Sequence, residues 1–196
     1  MQQQLLAASQ PNPEDIAYTP DAVADLFVQA LRPYMQPGQV VWEPHAGGGA
    51  FVRAVRREGH VCHGSDLYAA GWKRHDLLTG DLPFGPVDWL IGNPPFSTAR
   101  EHVEMSLRLA SAGVAYVLPA QLPYLVGWAD LWARATPDML TACGRIPFLG
   151  DGEVTKRDGQ SVGTRDVAMY IWRKVDGAWS TAPCVLRPLK TPRRTA

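Results

Sequence analysis

The sequence predicts an α/β fold: a mainly parallel sheet with helices on both faces and an antiparallel edge at its C-terminal end. Three observations predict it. Apolar strand-like runs alternate with helical periodicity from residue 39 to about 135. The chemically unusual residues fall at the ends of those runs, where ligands bind in open α/β sheets. Two further β-like runs then close the chain, separated by the polar stretch 150–165 and not by a helix.

Residues 1–17 read as a flexible lead-in. Thr19-Pro20 reads as a helix start, Thr at the N-cap and Pro at the first helical position. Val23, Leu26, Phe27, Ala30, Leu31 and Tyr34 recur at helical spacing and form one apolar face, and Pro37-Gly38 ends it. Residues 39–43 are a short strand followed by the loop HAGGG, and a second helix runs from about 50 to 59. Residues 60–64 form a second strand closed by Ser65-Asp66, 72–77 a weaker third, and 87–92 a fourth. Thr98-x-x-Glu101 reads as a capping box opening a helix to about 112. A strand at 114–118, a helix at 125–135, strands near 142–149 and 167–174, and a hairpin turn at Asp176-Gly177 complete the pattern.

Length and composition bound the function. The 196 residues suit one domain, here 18–186, followed by a basic tail at 187–196 with Arg187, Lys190, Arg193 and Arg194 and no acid. The hydrophobic fraction is 46% and the formal net charge zero, so no global field draws the chain to nucleic acid or membrane. No apolar run reaches membrane-spanning length, and no basic segment opens a secretory leader. With Cys62, Cys143 and Cys184 far apart, reduced thiols and a cytoplasmic location are expected. His60, Cys62 and His63 would alternate across a strand, so they read as core and edge packing, and no metal is expected. Trp42, Trp89 and Trp172 read as core, and Trp128 and Trp132 as a buried helical stripe. Arg145, Lys156, Arg157 and Arg165 could line a nucleic-acid groove, or be solvated surface charges.

The polar residues at strand ends carry the chemistry. Glu43 ends the first strand, Asp66 the second, Asp76 the third and Asn93 the fourth. Gly47-Gly48-Gly49 after the first strand permits close backbone approach to a ligand. Asp66 lies near the spacing at which an acid reaches a ribose diol. The third glycine of a dinucleotide fingerprint is missing, however, Val52 standing in its place. Asn93-Pro94-Pro95-Phe96 is the most unusual segment. Two prolines cannot donate to a sheet ladder, and each biases the residue before it to extended geometry. The result is a stiff exit with an amide before it and a ring after it.

Taken together, EPHAGGGAF (43–51), GSD (64–66), HDLL (75–78), GNPPF (92–96) and YTP (18–20) resemble the S-adenosylmethionine-dependent N6-adenine DNA methyltransferases, over about residues 17–120. The resemblance implies a Rossmann-like class I methyltransferase fold in a compact form without a separate target-recognition domain. It implies S-adenosylmethionine as cofactor. Tyr18, Thr19 and Pro20, with Pro44, His45, Ala46, Gly47 and Gly49, would hold its methionine part, and Glu43 would support that loop. Asp66, with Leu67 beside it, would take the ribose hydroxyls, Asp76, with Leu77, the adenine amino group, and Asn93 would also belong to the cofactor-binding set. His45 departs from the small or apolar residue usual there.

Asn93 and Pro94 would then accept both hydrogens of a target amino group, freeing the nitrogen lone pair, while Pro95 fixes the acceptors and Phe96 stacks on the base. The implied partner is nucleic acid, DNA in preference to RNA, with relaxed or short sequence specificity, and a homo-oligomer or accessory subunit could add grip. The compact size resembles the solitary methyltransferases of phages and mobile elements. RNA adenine-N6 or protein-glutamine methylation would use the same chemistry. A non-catalytic partner that binds nucleic acid or cofactor is the reading from another class, and a dinucleotide-dependent oxidoreductase a more distant one.

Overall fold

The structure is a computed structural model and describes residues 18–143, 146–147 and 164–190. Its elements are α1 (Asp21–Leu31), β1 (Val40–Glu43), α2 (Ala50–Arg57), β2 (Val61–Asp66), β3 (Lys73–Arg74), β4 (Trp89–Gly92), α3 (Ala99–Leu109), β5 (Gly113–Pro119), α4 (Ala129–Arg134), β6 (Asp138–Cys143), β7 (Ile146–Pro147), β8 (Thr164–Arg165), β9 (Val167–Val175), β10 (Ala178–Trp179) and β11 (Leu186–Lys190). Among the described residues nine strands form one sheet in the order β11-β6-β9-β5-β4-β1-β2-β3, with β10 paired to β9, and β7 and β8 pair separately.

From β3 to β5 every pairing is parallel. The chain goes outward from β1 to β2 and β3, then returns to place β4 and β5 on the other side of β1. This reversal makes the carboxyl ends of β1 and β4 the topological switch point of the sheet, where ligands bind in open α/β folds. Antiparallel pairing enters with the C-terminal strands, as expected, but β9 lies inside the sheet between β5 and β6. Its first six residues, Val167 to Trp172, are all buried, which a central strand requires and an edge does not.

Alternation along the strands supplies both cores. Val41, Trp89, Ile91, Ala115, Val117, Met169 and Ile171 pack on the face covered by α1 and α2. Trp42, Leu90, Val114, Tyr116, Leu118, Tyr170 and Trp172 pack on the face of α3 and α4. The three strand tryptophans are core residues, and Trp42 Nε1–H donates to Ser65 Oγ at 2.9 Å. Cys62 is buried in the first core and His63 stacks on Phe84 on the other side of the strand.

Several local expectations give way to tertiary contacts. Pro20, not Thr19, is the N-cap of α1, its carbonyl accepting from Val23 and Ala24 N–H at 3.0 Å. Thr98 is the N-cap of α3 but its side chain caps nothing. A 3-10 turn, Phe96–Thr98, leads into the helix, so Ala99 N–H is already bonded to Phe96, and the Thr98 carbonyl accepts from a histidine. Of the helix expected at 125–135, Ala129–Arg134 forms as α4, while Val126–Trp128, with Gly127 at its centre, is a 3-10 turn, and a further 3-10 turn, Leu122–Tyr124, precedes it. The strand expected near 142 begins at Asp138, whose carboxylate takes Arg173 and the Val185 N–H. The hairpin forms as read, Asp176 and Gly177 both at positive φ between β9 and β10.

The basic segment read as a tail also differs. Arg187 and Lys190 lie in β11, which pairs in parallel with β6 from Leu186↔Met139 to Lys190↔Cys143. Arg193 and Arg194 lie outside the described residues, as do the lead-in and residues 148–163 with Lys156 and Arg157. Arg145 is likewise outside, and of Arg165 only the backbone, in β8, is described.

Candidate active site

β1 ends at Glu43, which is 1% exposed. Its carboxyl lies against Gly92, the last residue of β4, where a Cβ would overlap it. Burial pushes this carboxyl well above the ordinary carboxylate range, the Asp66 charge adding to the rise and the His45 N–H, donating to Oε1 at 3.0 Å, opposing it. The glycine at 92 is thus set by the acid across from it. The ends of β1 and β4 are locked into one unit.

The loop after β1 is fastened from four directions. Gly47 N–H donates to Asp66 Oδ2 and Trp72 Nε1–H donates to the Gly47 carbonyl, both at 2.8 Å. Arg53, from α2, bridges the Gly48 carbonyl and Asp21 of α1, each at 2.6 Å. Tyr18 covers Gly47, and a Cβ there would sit 2.7 Å from its ring; one at Gly49 would sit 2.7 Å from Trp72. Both glycines also hold positive φ, 47° and 79°, so the turn needs them twice over. Pro44 and Ala46 are buried beneath it.

Asp66 Oδ1 accepts the Tyr68 and Ala69 N–H groups at 2.8 Å. With Gly47 on Oδ2, three of about four acceptor directions of this carboxylate are used. Beyond it, Leu67, Ala69, Trp72 and Arg74 line a cleft of about 330 Å³. Asp76 caps the 3-10 turn Leu77–Thr79, Oδ1 accepting Leu78 N–H at 2.9 Å, while Leu77 is buried. Thr19 Oγ1, displaced from the capping role, is buried without a hydrogen-bond partner among the described residues.

His45 points away from this satisfied loop into the second core. Its ring stands edge-on to His102 of α3 at 4.7 Å and lies 5.9 Å from Tyr116 of β5. Neither ring nitrogen has a partner among the described residues. Burial and the neighbouring His102 push the His45 imidazole well below its ordinary range, so it is neutral. His102 Nδ1 lies 2.7 Å from the Thr98 carbonyl, which can only accept, so that nitrogen carries the proton. Ser106 donates to the His102 carbonyl, so its oxygen receives the Tyr116 hydroxyl, both at 2.7 Å.

Asn93, Pro94, Pro95 and Phe96 leave β4 beside this pocket. Pro94 is buried, Asn93 and Pro95 are half-buried, and the half-buried Phe96 ring touches both core clusters. The structure therefore gathers Glu43, the 44–49 loop, Asp66, Asp76 and Asn93 along one rim, with Tyr18 and Thr19 over the loop. Sequence reasoning missed Trp72 and His102. Trp72 was legible only as part of a short strand; His102 follows Thr98 by one helical turn, a spacing that signals local contact and nothing of His45.

Neither a protein-family model nor a curated protein matches this sequence. Solved structures do resemble it. A modification subunit ascribed to a type I restriction enzyme of Vibrio vulnificus YJ016 aligns with a TM-score of 0.57 at 14% identity, over 94% of this chain and 49% of that one. The chain thus spans about half the length of that subunit. A SAM-dependent methyltransferase from Archaeoglobus fulgidus aligns with a TM-score of 0.51 at 10% identity, over 79% of this chain and 95% of the other. TehB from Haemophilus influenzae gives 0.50 at 10%, over 77% and 62%. The fold is that of the class I methyltransferases.

Proposed function

We propose that the chain is an S-adenosylmethionine-dependent methyltransferase acting on the N6 amino group of adenine in DNA. One observation carries the reading: the stiff Asn93-Pro94-Pro95-Phe96 exit from β4 lies on the same rim as the glycine loop after β1, joined to it through Glu43 and Gly92. The described residues suit the cofactor. Gly47 and Gly49 supply the positive φ that the loop's tight turn requires, Thr19 Oγ1 is a buried hydroxyl without a partner among the described residues, and Asp66 keeps one acceptor direction for a ribose hydroxyl. Asp76 Oδ2, which has no protein partner among the described residues, suits an adenine amino group. When bound, the cofactor supplies an electrophilic methyl on a sulfonium.

The chain's own residues do the rest by positioning. An adenine amino nitrogen is a poor nucleophile because its lone pair is delocalised into the ring. The Asn93 side-chain oxygen and the Pro94 carbonyl accept its two hydrogens and draw it toward tetrahedral geometry, so the lone pair localises. Pro94 and Pro95 hold those acceptors in place before reaction, and such preorganised acceptors contribute about 3–4 kcal/mol. Phe96 stacks on the base, contributing about 1–3 kcal/mol. Once methylated, the amino nitrogen would be acidic, and its proton would pass to water without a protein base. The fold likeness to a restriction-system modification subunit supports DNA as the substrate.

The test supplies isotope-labelled S-adenosylmethionine with duplex DNA, single-stranded DNA, RNA and cell protein in parallel. Label in N6-methyladenine from DNA is the expected result. Label confined to RNA or to glutamine moves the substrate, and cofactor binding with no label anywhere overturns the activity.

A further inference from the structure

The most exposed apolar side chains of the described residues are neighbours: Tyr124 is 86% and Val126 90% exposed, with Leu125 at 46% between them. They occupy the turn after β5. Because β4 and β5 are parallel, with Gly92 beside Tyr116, this turn rises from the same rim as Asn93. The α4 helix that follows it is joined to α3, which follows the Asn-Pro-Pro-Phe exit, by ion pairs. Arg100, four residues after Phe96, bonds Asp130 at 2.6 Å and Glu104 at 3.0 Å, and Arg134 bonds Glu104 at 2.7 Å. Two arginines thereby balance two acids, and residues 121–129 carry no charge that would repel phosphate.

The turn is also rigid. Pro123 stiffens it, Tyr124, Leu125 and Trp128 N–H groups close it at 3.0 Å, and Leu122 and Trp128 anchor it in the core on either side. Beneath it Trp128, Trp132, Tyr170 and Trp172 pack ring against ring, 5.7–6.2 Å apart, and the Tyr170 hydroxyl donates to the Pro119 carbonyl at 2.9 Å. That ring layer supports one side of the turn, while Tyr124, Leu125 and Val126 themselves border an open apolar cleft on the other. An uncharged turn that holds large apolar side chains in water on the rim from which Asn93 projects suits insertion between stacked bases.

Resting on the activity proposed above, we infer that Tyr124 and Val126 are a wedge that enters duplex DNA beside the target adenine and fills the space left when that base is extruded. The preferred substrate is then duplex DNA, since a single strand needs no wedge. The competing occupant is a second copy of this chain, seated on the wedge and on the apolar cleft of about 560 Å³ that Leu125, Ala129, Trp132 and Met139 wall beside it.

The test uses the full chain and the double variant Tyr124→Ala/Val126→Ala, whose exposed positions leave the fold intact. Unmethylated plasmid is offered as duplex and heat-denatured, and N6-methyladenine is counted. The expected result is a loss of about tenfold or more on duplex with less than about twofold on single strands. An equal loss on both, no loss on either, or a change in sedimentation with unchanged methylation overturns the wedge. A second readout is independent of turnover: relaxing closed-circular plasmid by topoisomerase with bound protein should shift its linking number with the wild type and not with the variant. A shift without methylation upholds the wedge and overturns the activity; no shift overturns the wedge whatever the methylation.

Discussion

The glycine loop and the histidine pocket begin within two residues of each other, yet they are built in opposite ways. From Ala46 to Gly49 the loop is fully engaged: Asp66, Trp72, Arg53 and Tyr18 fix it by hydrogen bonds and close contact. The neighbouring pocket holds Glu43, His45 and His102 in a dry environment where burial disfavours every charge, and His45 has no partner among the described residues. The first region is held in shape by the protein's own groups before any ligand arrives. The second holds one group, the His45 imidazole, whose desolvation no partner among the described residues repays. Such sites persist where a ligand or a reaction completes them.

The largest effect expected from disturbing this arrangement is at the seam between the regions. Gly92→Ala sets a methyl group against the Glu43 carboxyl, and chemical denaturation should show a loss of about 3 kcal/mol. A near-neutral result would mean that β1 and β4 are not locked as described. Next comes Gly47→Ala, which meets the Tyr18 ring and a positive φ; about 2 kcal/mol of stability should go, together with cofactor affinity by calorimetry. If stability falls and affinity stays, the loop is scaffold alone.

The smallest effect separates the pocket from the loop. The folded state depresses the His45 imidazole below its unfolded value of 6.5, so the unfolded chain takes the proton first. Stability from this residue is present above that value and is lost as pH falls beneath it, by at most about 1.4 kcal/mol per unit for one proton. Glu43, raised by burial, works in the opposite sense, its contribution fading as pH rises past the ordinary carboxylate range. His45→Phe should therefore gain on the wild type as pH drops from 7.5 to 5, in paired denaturation curves. Parallel curves would show that the imidazole already shares its proton with water.

What could be read in advance was what neighbouring residues dictate. Asn93-Pro94-Pro95 stops a strand by its own covalent chemistry, and Asp176-Gly177 turns a hairpin by its own backbone preference. What could not be read depended on partners distant in the chain. Arg187 and Lys190 look like a tail until β6 is seen beside them, and their strand exists through that pairing. Thr98 and Glu101 satisfy a capping pattern, yet His102 takes the Thr98 carbonyl and the side-chain cap is absent. His45 registered as a departure from the small or apolar residue usual at its place, but its meaning required His102 and Tyr116, brought by α3 and β5. The Trp72 bond to Gly47 likewise crosses two elements that share no local signal.

The central claim is that Asn93 acts on the substrate amino group and not on the cofactor. The measurement that tests it most directly pairs calorimetry of S-adenosylmethionine binding with methyl transfer to DNA, for the wild type and for folded Asn93→Ala. The account predicts cofactor affinity within a few-fold and turnover reduced by about a thousandfold. Loss of cofactor binding in the folded variant, or turnover that survives, would contradict it.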